Sequence, residues 1–93
     1  MNTQDFEAQL KAENFDAGVT ISKPVGYSMD AHAHPFEAWA LIVDGDITLL
    51  VDGASTTYSE GDVFRLPEGT PHRESAVPNG VTYLVGRKYP VAA

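Results

Sequence analysis

The sequence predicts a small all-β protein, a sandwich or barrel, with one short helix at its N-terminus. From Val19 onward, β-branched and aromatic residues alternate with turn signals, which is typical of short strands joined by tight turns. Apolar residues have near-helical spacing only before that point. A chain of 93 residues is long enough for one compact domain. We therefore expect a helical segment over 1–17 and a single barrel domain over 18–93.

The N-terminal helix is predicted from three apolar residues. Phe6 and Leu10 stand about one helical turn apart, and Phe15 roughly continues the spacing. Asn2 or Thr3 is suited to cap the first turn, since both side chains can accept a hydrogen bond from a free backbone N–H. The pattern predicts one short amphipathic helix.

The strands are predicted from the turn signals that separate them. These signals are Asp44-Gly45, Asp52-Gly53, Glu60-Gly61, the segment from Pro67 to Pro71, and Asn79-Gly80. They bound strands at about 19–24, 29–34, 37–43, 46–52, 55–59, 62–66, 71–77 and 81–88. Apolar side chains alternate within 47–51 and 81–85, as they do in half-buried strands.

Composition excludes several classes of function. Thirteen acidic and six basic residues give a formal charge of −7, and the basic residues form no stripe, so we expect no nucleic-acid partner. No apolar run approaches the roughly 20 residues of a membrane helix, so we expect no membrane. Without cysteine, histidine and carboxylate are the only strong metal ligands. The acidic start lacks the order of a secretion signal, which predicts a cytoplasmic protein.

Two segments contain the histidines. His32 and His34 stand at i and i+2, so on a strand both side chains project from the same face, close enough to bind one ion. An isolated pair of this kind is more often a pair of surface histidines. In the second segment, Pro67 and Gly69 reverse the chain, and His72 begins the returning strand. Alone, this segment is equally well explained as a hairpin that contains a histidine.

Taken together, the two segments resemble the two characteristic motifs of the cupin superfamily, over about residues 26–76. The residues that carry the resemblance are Gly26, His32, His34 and Gly45 in the first motif, and Gly61, Pro67, Gly69 and His72 in the second. The resemblance implies a double-stranded β-helix, or jelly-roll barrel. It also implies a divalent transition metal (Fe, Zn, Ni or Mn) inside the barrel mouth, ligated by the three histidines.

The first motif departs from the family at its acidic ligand. Where the family places a glutamate, this chain has Ala38, and Glu37 lies one residue early. In a regular strand this offset turns Glu37 to the opposite face, unless a bulge near Pro35 restores it. Glu37 is therefore either a fourth metal ligand or a solvated carboxylate.

The second motif departs from the family at its last residue. The family's asparagine is replaced by Ala76, and Glu74 is a candidate substitute because it stands at i+2 from His72. Glu74 would act as a carboxylate at the rim or as a hydrogen-bond acceptor for a ligand. Whether Glu37 or Glu74 completes the site stays open.

Other residues are weaker candidates for the pocket. The aromatic candidates for its lining are Tyr27, Phe36, Trp39, Tyr58, Phe64 and Tyr83, although core packing is the commoner role for such residues. Arg65 and Arg73 are candidates to hold a substrate carboxylate, with surface ion pairing as the alternative.

The resemblance implies two functions. Without the glutamate, the site is similar to the three-histidine sites of some cupins, among them oxygen-activating iron enzymes. We therefore expect a metal-dependent enzyme acting on a small chelating molecule, a dioxygenase if the metal is iron and an isomerase or hydrolase otherwise. The alternative is a non-catalytic module that binds or senses a small molecule or the metal. By analogy with the family, we expect a homodimer.

Overall fold

The computed structural model describes residues 1–76 and 79–90. Its elements in chain order are α1 (Thr3–Ala12), β1 (Val19–Lys23), β2 (Ser28–His32), β3 (Glu37–Val51), β4 (Ala54–Ser59), β5 (Val63–Leu66), β6 (His72–Ser75) and β7 (Val81–Lys88). The predicted mostly-β fold with one short N-terminal helix is confirmed. The predicted end of the 71–77 strand and the last three residues of the predicted domain lie outside the described residues.

Helix α1 begins where the sequence predicts. The side chain of Asn2 accepts a hydrogen bond of 2.8 Å from the backbone N–H of Asp5, so Asn2 is the N-cap and Thr3 is the first helical residue. Phe6 and Leu10 are buried on one face of the helix. None of the helices within the described residues is long and apolar enough to span a membrane.

The prediction of two strands at 37–43 and 46–52 was wrong, because Asp44-Gly45 is not a hairpin turn. Both segments belong to β3, whose pairing with β7 continues across this point with a shift of register between Ile42 and Asp44. Gly45 has φ +73, and a Cβ there would meet the backbone oxygen of Gly80. The Asp-Gly signal therefore marks a bulge that bends one long strand.

Strand β3 organises the whole antiparallel sheet, which is curled. Its first half pairs with β5 and β7, and its second half pairs with β4 and β6. Strand β1 extends the first half through β7, and β2 extends the second half through β6. The bend in β3 turns the two halves toward each other and gives the sheet an inner and an outer face.

Apolar residues pack in two clusters, one on each face. The inner cluster consists of Ala38, Ala40, Ile42, Ile47, Leu49, Phe64, Leu66, Ala76, Val81, Tyr83 and Val85. The outer cluster joins the helix to the sheet and consists of Phe6, Leu10, Phe15, Trp39, Leu41 and Leu84. Alternation along β3 therefore sends successive side chains to opposite sides of the protein.

Candidate metal centre

The three histidines come together at the ends of two paired strands. His32 is the last residue of β2, and His72 is its partner in the first position of β6. His34 lies beyond the end of β2, so the prediction that strand 29–34 carries both first-motif histidines was wrong. The imidazole rings nevertheless converge, with centroid separations of 4.9 Å for His32–His34, 4.3 Å for His32–His72 and 5.2 Å for His34–His72.

Glu74 joins this group. One potential ligand atom from each of the three histidines and from Glu74 lies within 4.8 Å of all the others. Glu74 follows His72 by two residues on β6, and both side chains are directed to the centre, as expected for an i and i+2 pair. His72 is buried and Glu74 is mostly so, since its side chain retains 11% exposure.

Backbone carbonyls fix the protonation of two imidazoles. Nδ1 of His32 lies 2.9 Å from the carbonyl oxygen of Asp30, and Nδ1 of His72 lies 3.0 Å from that of Thr70. Because a carbonyl oxygen only accepts, each Nδ1 must carry the proton. In a neutral ring Nε2 is then unprotonated, and its free lone pair can bind a metal.

Both Nε2 atoms meet the same carboxylate oxygen. Oε2 of Glu74 lies 3.0 Å from Nε2 of His32 and 3.1 Å from Nε2 of His72. The His32 contact is close, but Nε2 is buried and has no partner with hydrogen-bond geometry in the part of the chain that the structure describes. Three acceptors this close repel one another unless a proton or a metal cation lies between them.

The residues present fit a metal ion. Ligand atoms about 2.1 Å from one ion, at right angles to each other, stand about 3 Å apart, which matches the spacing around Glu74. Three imidazoles and one carboxylate suit Fe(II), Mn(II), Ni(II) or Zn(II). Bound metal would also satisfy the orphaned Nε2 of His32.

His34 is suited to the same role by its surroundings. Burial lowers the pKa of His34 below its ordinary value, and the neighbouring His72 and His32 lower it further. Its ring stacks on Phe36 with centroids 4.8 Å apart and planes 15° apart. The neutral imidazole is therefore favoured and held in one orientation.

Glu37 lies apart from the histidines. Its Oε2 accepts a hydrogen bond of 2.8 Å from Nε of Arg65, on the face of β3 that carries Trp39. Ala38 faces inward instead and belongs to the inner cluster. No bulge near Pro35 turns the Glu37 carboxylate to the centre.

A central cavity of about 170 Å³ lies beside the histidines, lined by side chains from β1, β2, β3, β5, β6 and β7. Its polar lining beyond the candidate ligands consists of Lys23, Tyr27, Tyr83 and Arg87. Burial, with a contribution from Glu74, raises the pKa of Tyr83 to about 12, so its hydroxyl stays protonated.

Several predicted lining residues are found at the cavity and others are not. Those that line it are Tyr27, Phe36, Phe64 and Tyr83. Trp39 packs in the outer cluster, and Tyr58 packs against the inner cluster without lining the cavity. Neither Arg65 nor Arg73 lines the cavity.

Two cations that do line the cavity, Lys23 and Arg87, were missed as site residues, and Arg87 could have been found. It continues the inward alternation of Tyr83 and Val85 along β7, a signal that was present in the sequence.

A curled antiparallel sheet with a histidine and carboxylate cluster on its inner face defines a β-sheet protein with a candidate metal centre. The family model described as a cupin domain matches residues 19–84. The chain therefore belongs to the cupin superfamily, as the two sequence motifs predict.

Similar solved structures have the same fold. A conserved protein of unknown function from Streptococcus pyogenes is 25% identical, with a TM-score of 0.72 over 82% of this chain and 66% of that one. An RmlC-like cupin from Shewanella frigidimarina is 24% identical, with a TM-score of 0.69 over 80% and 66%. The DMSP lyase DddQ from Ruegeria pomeroyi is 24% identical, with a TM-score of 0.72 over 83% and 40%.

The present chain spans slightly less than two thirds of the first two of these proteins. No curated protein matches the sequence.

Proposed function

We propose that this cupin is a metal-dependent enzyme that acts on a small chelating molecule in the central cavity. His32, His34, His72 and Glu74 would hold one divalent transition metal ion. The observation that carries the proposal is the convergence of two Nε2 atoms on one oxygen of Glu74, at 3.0 and 3.1 Å. We propose Glu74 as the acidic ligand in place of Glu37, whose carboxylate is bound to Arg65.

The chain's own residues prepare the ligands. The carbonyl groups of Asp30 and Thr70 hold Nδ1 of His32 and His72, so both rings are oriented before an ion arrives. A bound divalent ion would supply a Lewis acid with positions left for the oxygen or nitrogen donors of a chelating substrate. An iron ion would in addition permit reaction with dioxygen.

The cavity supports catalysis over simple storage of the metal. Polar groups other than the ligands face it, and the hydroxyl of Tyr83 can donate a hydrogen bond to a substrate because its pKa is raised to about 12. A site walled off by Trp39 and Phe36 without further polar groups would instead favour simple binding; Phe36 does line the cavity, but Trp39 packs on the other side of the sheet. Convergent polar groups around an accessible ion are typical of an active site.

Metal analysis tests the proposal. Protein purified without a histidine tag should contain one transition metal ion per chain, or take one up on titration. His72→Ala and Glu74→Gln should lower the metal content, whereas Glu37→Gln, the matched control for the second change, should retain it. Absence of metal uptake by the wild type would overturn the proposal.

Turnover then separates an enzyme from a binding module. The metal-loaded protein should convert members of a panel of small α-hydroxy and α-keto acids, with dioxygen consumption followed when the metal is iron. Stoichiometric metal binding with no metal-dependent turnover of any compound would assign the chain to the non-catalytic cupins instead.

We further propose that the two halves of the sheet close into a jelly-roll barrel over residues 18–93, with segment 1–17 packed outside.

We also propose that two chains form a homodimer. Strand β1 stands at one end of the strand order, and Val19 at its start is 55% exposed. An open edge with an exposed apolar residue favours contact with a second copy. Sedimentation equilibrium should give the mass of a dimer, and a monomer at all concentrations would contradict this.

A further inference from the structure

Arg87 places a positive charge in the central cavity. It is half-buried and extends from the inner face of β7, beyond Tyr83 and Val85. Its guanidinium carbon lies 4.9 Å from the ring centroid of Phe36, and His34 stacks on the same ring. The cation and a candidate metal ligand thus contact the same aromatic ring.

Arg87 has no carboxylate partner within the described residues. None of the ion pairs found there includes Arg87 or Lys23, the two cations that line the cavity. Arg65, by contrast, forms ion pairs with Glu13 at 3.0 Å and with Glu37 at 2.8 Å. A half-buried cation without a counterion in a chain of formal charge −7 is a binding group for an anion.

The strand register explains why no carboxylate of the described residues pairs with Arg87. Its partner across the β3·β7 ladder is Ala38, and directly opposed residues of an antiparallel pair share a face. The cupin resemblance places a glutamate at the position of Ala38. A methyl group there leaves both the space and the positive charge available to a ligand from solution.

We propose that the central cavity binds the carboxylate group of a small organic acid, with Arg87 as its anchor and Lys23 as a second positive charge. This inference rests on the proposed metal-dependent function and names its substrate class. The acid's remaining donor atoms would face the three histidines. Its apolar part would lie against Ile21, Phe36 and Leu66, which also line the cavity.

A carboxylate fits better than a phosphate. The planar guanidinium group matches the two oxygens of a carboxylate, so one arginine suffices. The cavity measures about 170 Å³, and Glu74 adds negative charge to it, which disfavours a dianion. The chain also lacks a glycine-rich loop of the kind that cradles phosphate.

Butyrate and butyramide are suitable probes, since they have nearly the same size and differ in charge. Titration of each into isotope-labelled protein, followed by two-dimensional NMR, gives the dissociation constant and the site of binding. The protein is measured with and without one equivalent of Zn(II). We expect butyrate to bind the wild type about tenfold more tightly than butyramide, with the largest shifts along the inner face of β7.

Arginine variants locate the charge that is responsible. Arg87→Gln should remove the preference for butyrate and leave metal uptake intact, whereas Arg87→Lys should keep part of the preference. Arg73→Gln is the matched control, because Arg73 is exposed on β6 and does not line the cavity. It should bind butyrate as the wild type does. The NMR spectrum of each variant reports whether it is folded.

The outcomes separate the two proposals. Preference for butyrate without any metal uptake would overturn the metal centre and leave the anion site standing. Normal metal uptake with equal binding of both probes, or with a preference that survives in Arg87→Gln, would overturn the anion site. If Arg87→Gln does not fold, the shift map of the wild type and the Arg87→Lys affinity decide, and shifts remote from β7 would overturn the anion site.

Discussion

The two faces of the sheet differ in whether their polar groups have partners within the described residues. On the outer face, Trp39 packs edge-on against Phe6 and Phe15, with ring centroids 5.5 and 5.4 Å apart. Arg65 lies 4.5 Å from the Trp39 ring, and its charge is paired with two carboxylates. On the inner face, Nε2 of His32 lacks a hydrogen-bond partner within the described residues. One face therefore provides stability, while the other keeps polar groups available for a ligand.

Neighbouring residues of β3 make this division. Glu37 and Trp39 face outward and Ala38 faces inward, so a difference of one residue decides whether a carboxylate reaches the candidate metal centre. The outward glutamate pairs with Arg65, whereas the inward alanine gives Arg87 no carboxylate partner across the β3·β7 ladder. Substitutions on the two faces should therefore affect different properties.

The largest expected effect on folding is that of Trp39→Ala. Removal of a buried tryptophan should lower the free energy of unfolding by about 3–5 kcal/mol, since a cavity remains under α1. Urea denaturation measures this change. The amount of metal bound per folded chain should be unaffected. A loss of metal-binding free energy as large as the loss of folding stability, measured without denaturant, would show that the two faces are not independent.

On the inner face, the metal itself should stabilise the protein. At a free concentration one hundred times the dissociation constant, the ion should raise the free energy of unfolding by about 2.7 kcal/mol. A chelator should reverse this increment, and His72→Ala should lack it. Thermal unfolding with and without metal provides the measurement, with Arg73→Gln as the control that retains the full increment.

Tyr83 should make stability depend on alkaline pH. Its pKa is 10.0 in the ordinary case and about 12 when folded, so the folded protein holds the proton more tightly than the unfolded chain. This stabilisation is complete below pH 10.0 and is lost as the pH rises through about 12. At about 1.4 kcal/mol per unit of pKa, the loss should amount to about 1–3 kcal/mol.

Tyr83→Phe isolates this contribution. The variant should show a smaller loss of stability over the same pH interval, because phenylalanine has no proton to lose. Ultraviolet absorbance of tyrosinate follows the ionisation directly. A wild-type tyrosine titration completed near pH 10.0 would contradict the burial of this hydroxyl.

What the sequence predicted depended on local patterns. The spacing of Phe6 and Leu10 predicted helix α1, and motif spacing predicted the meeting of three histidines. Asp44-Gly45 misled because a glycine with positive φ serves equally in a hairpin turn and in a bulge. Only the continued pairing of β7 across that point distinguishes the two, and strand pairing is a non-local property.

For the candidate site too, local patterns predicted some residues, and others depended on strand pairing. Its i and i+2 relation to His72 placed Glu74 on the correct face, and the offset of one residue indicated that Glu37 points away from the histidines. Alternation with Tyr83 and Val85 indicated that Arg87 points inward, but its lack of a carboxylate partner within the described residues depends on the register that sets it opposite Ala38. Charge in the cavity is therefore a consequence of topology.

The change of least consequence for stability, Glu37→Gln, allows a direct comparison of the two glutamates. Glu37→Gln should change the free energy of unfolding by less than about 1 kcal/mol, since its ion pair with Arg65 is partly exposed and screened by solvent. Glu74→Gln makes the same chemical change on the inner face, where the lost carboxylate should lower metal affinity by about tenfold or more. Parallel metal titrations compare them. Equal losses of affinity would mean that Glu37 also reaches the metal, and the division of β3 into two faces would then have to be abandoned.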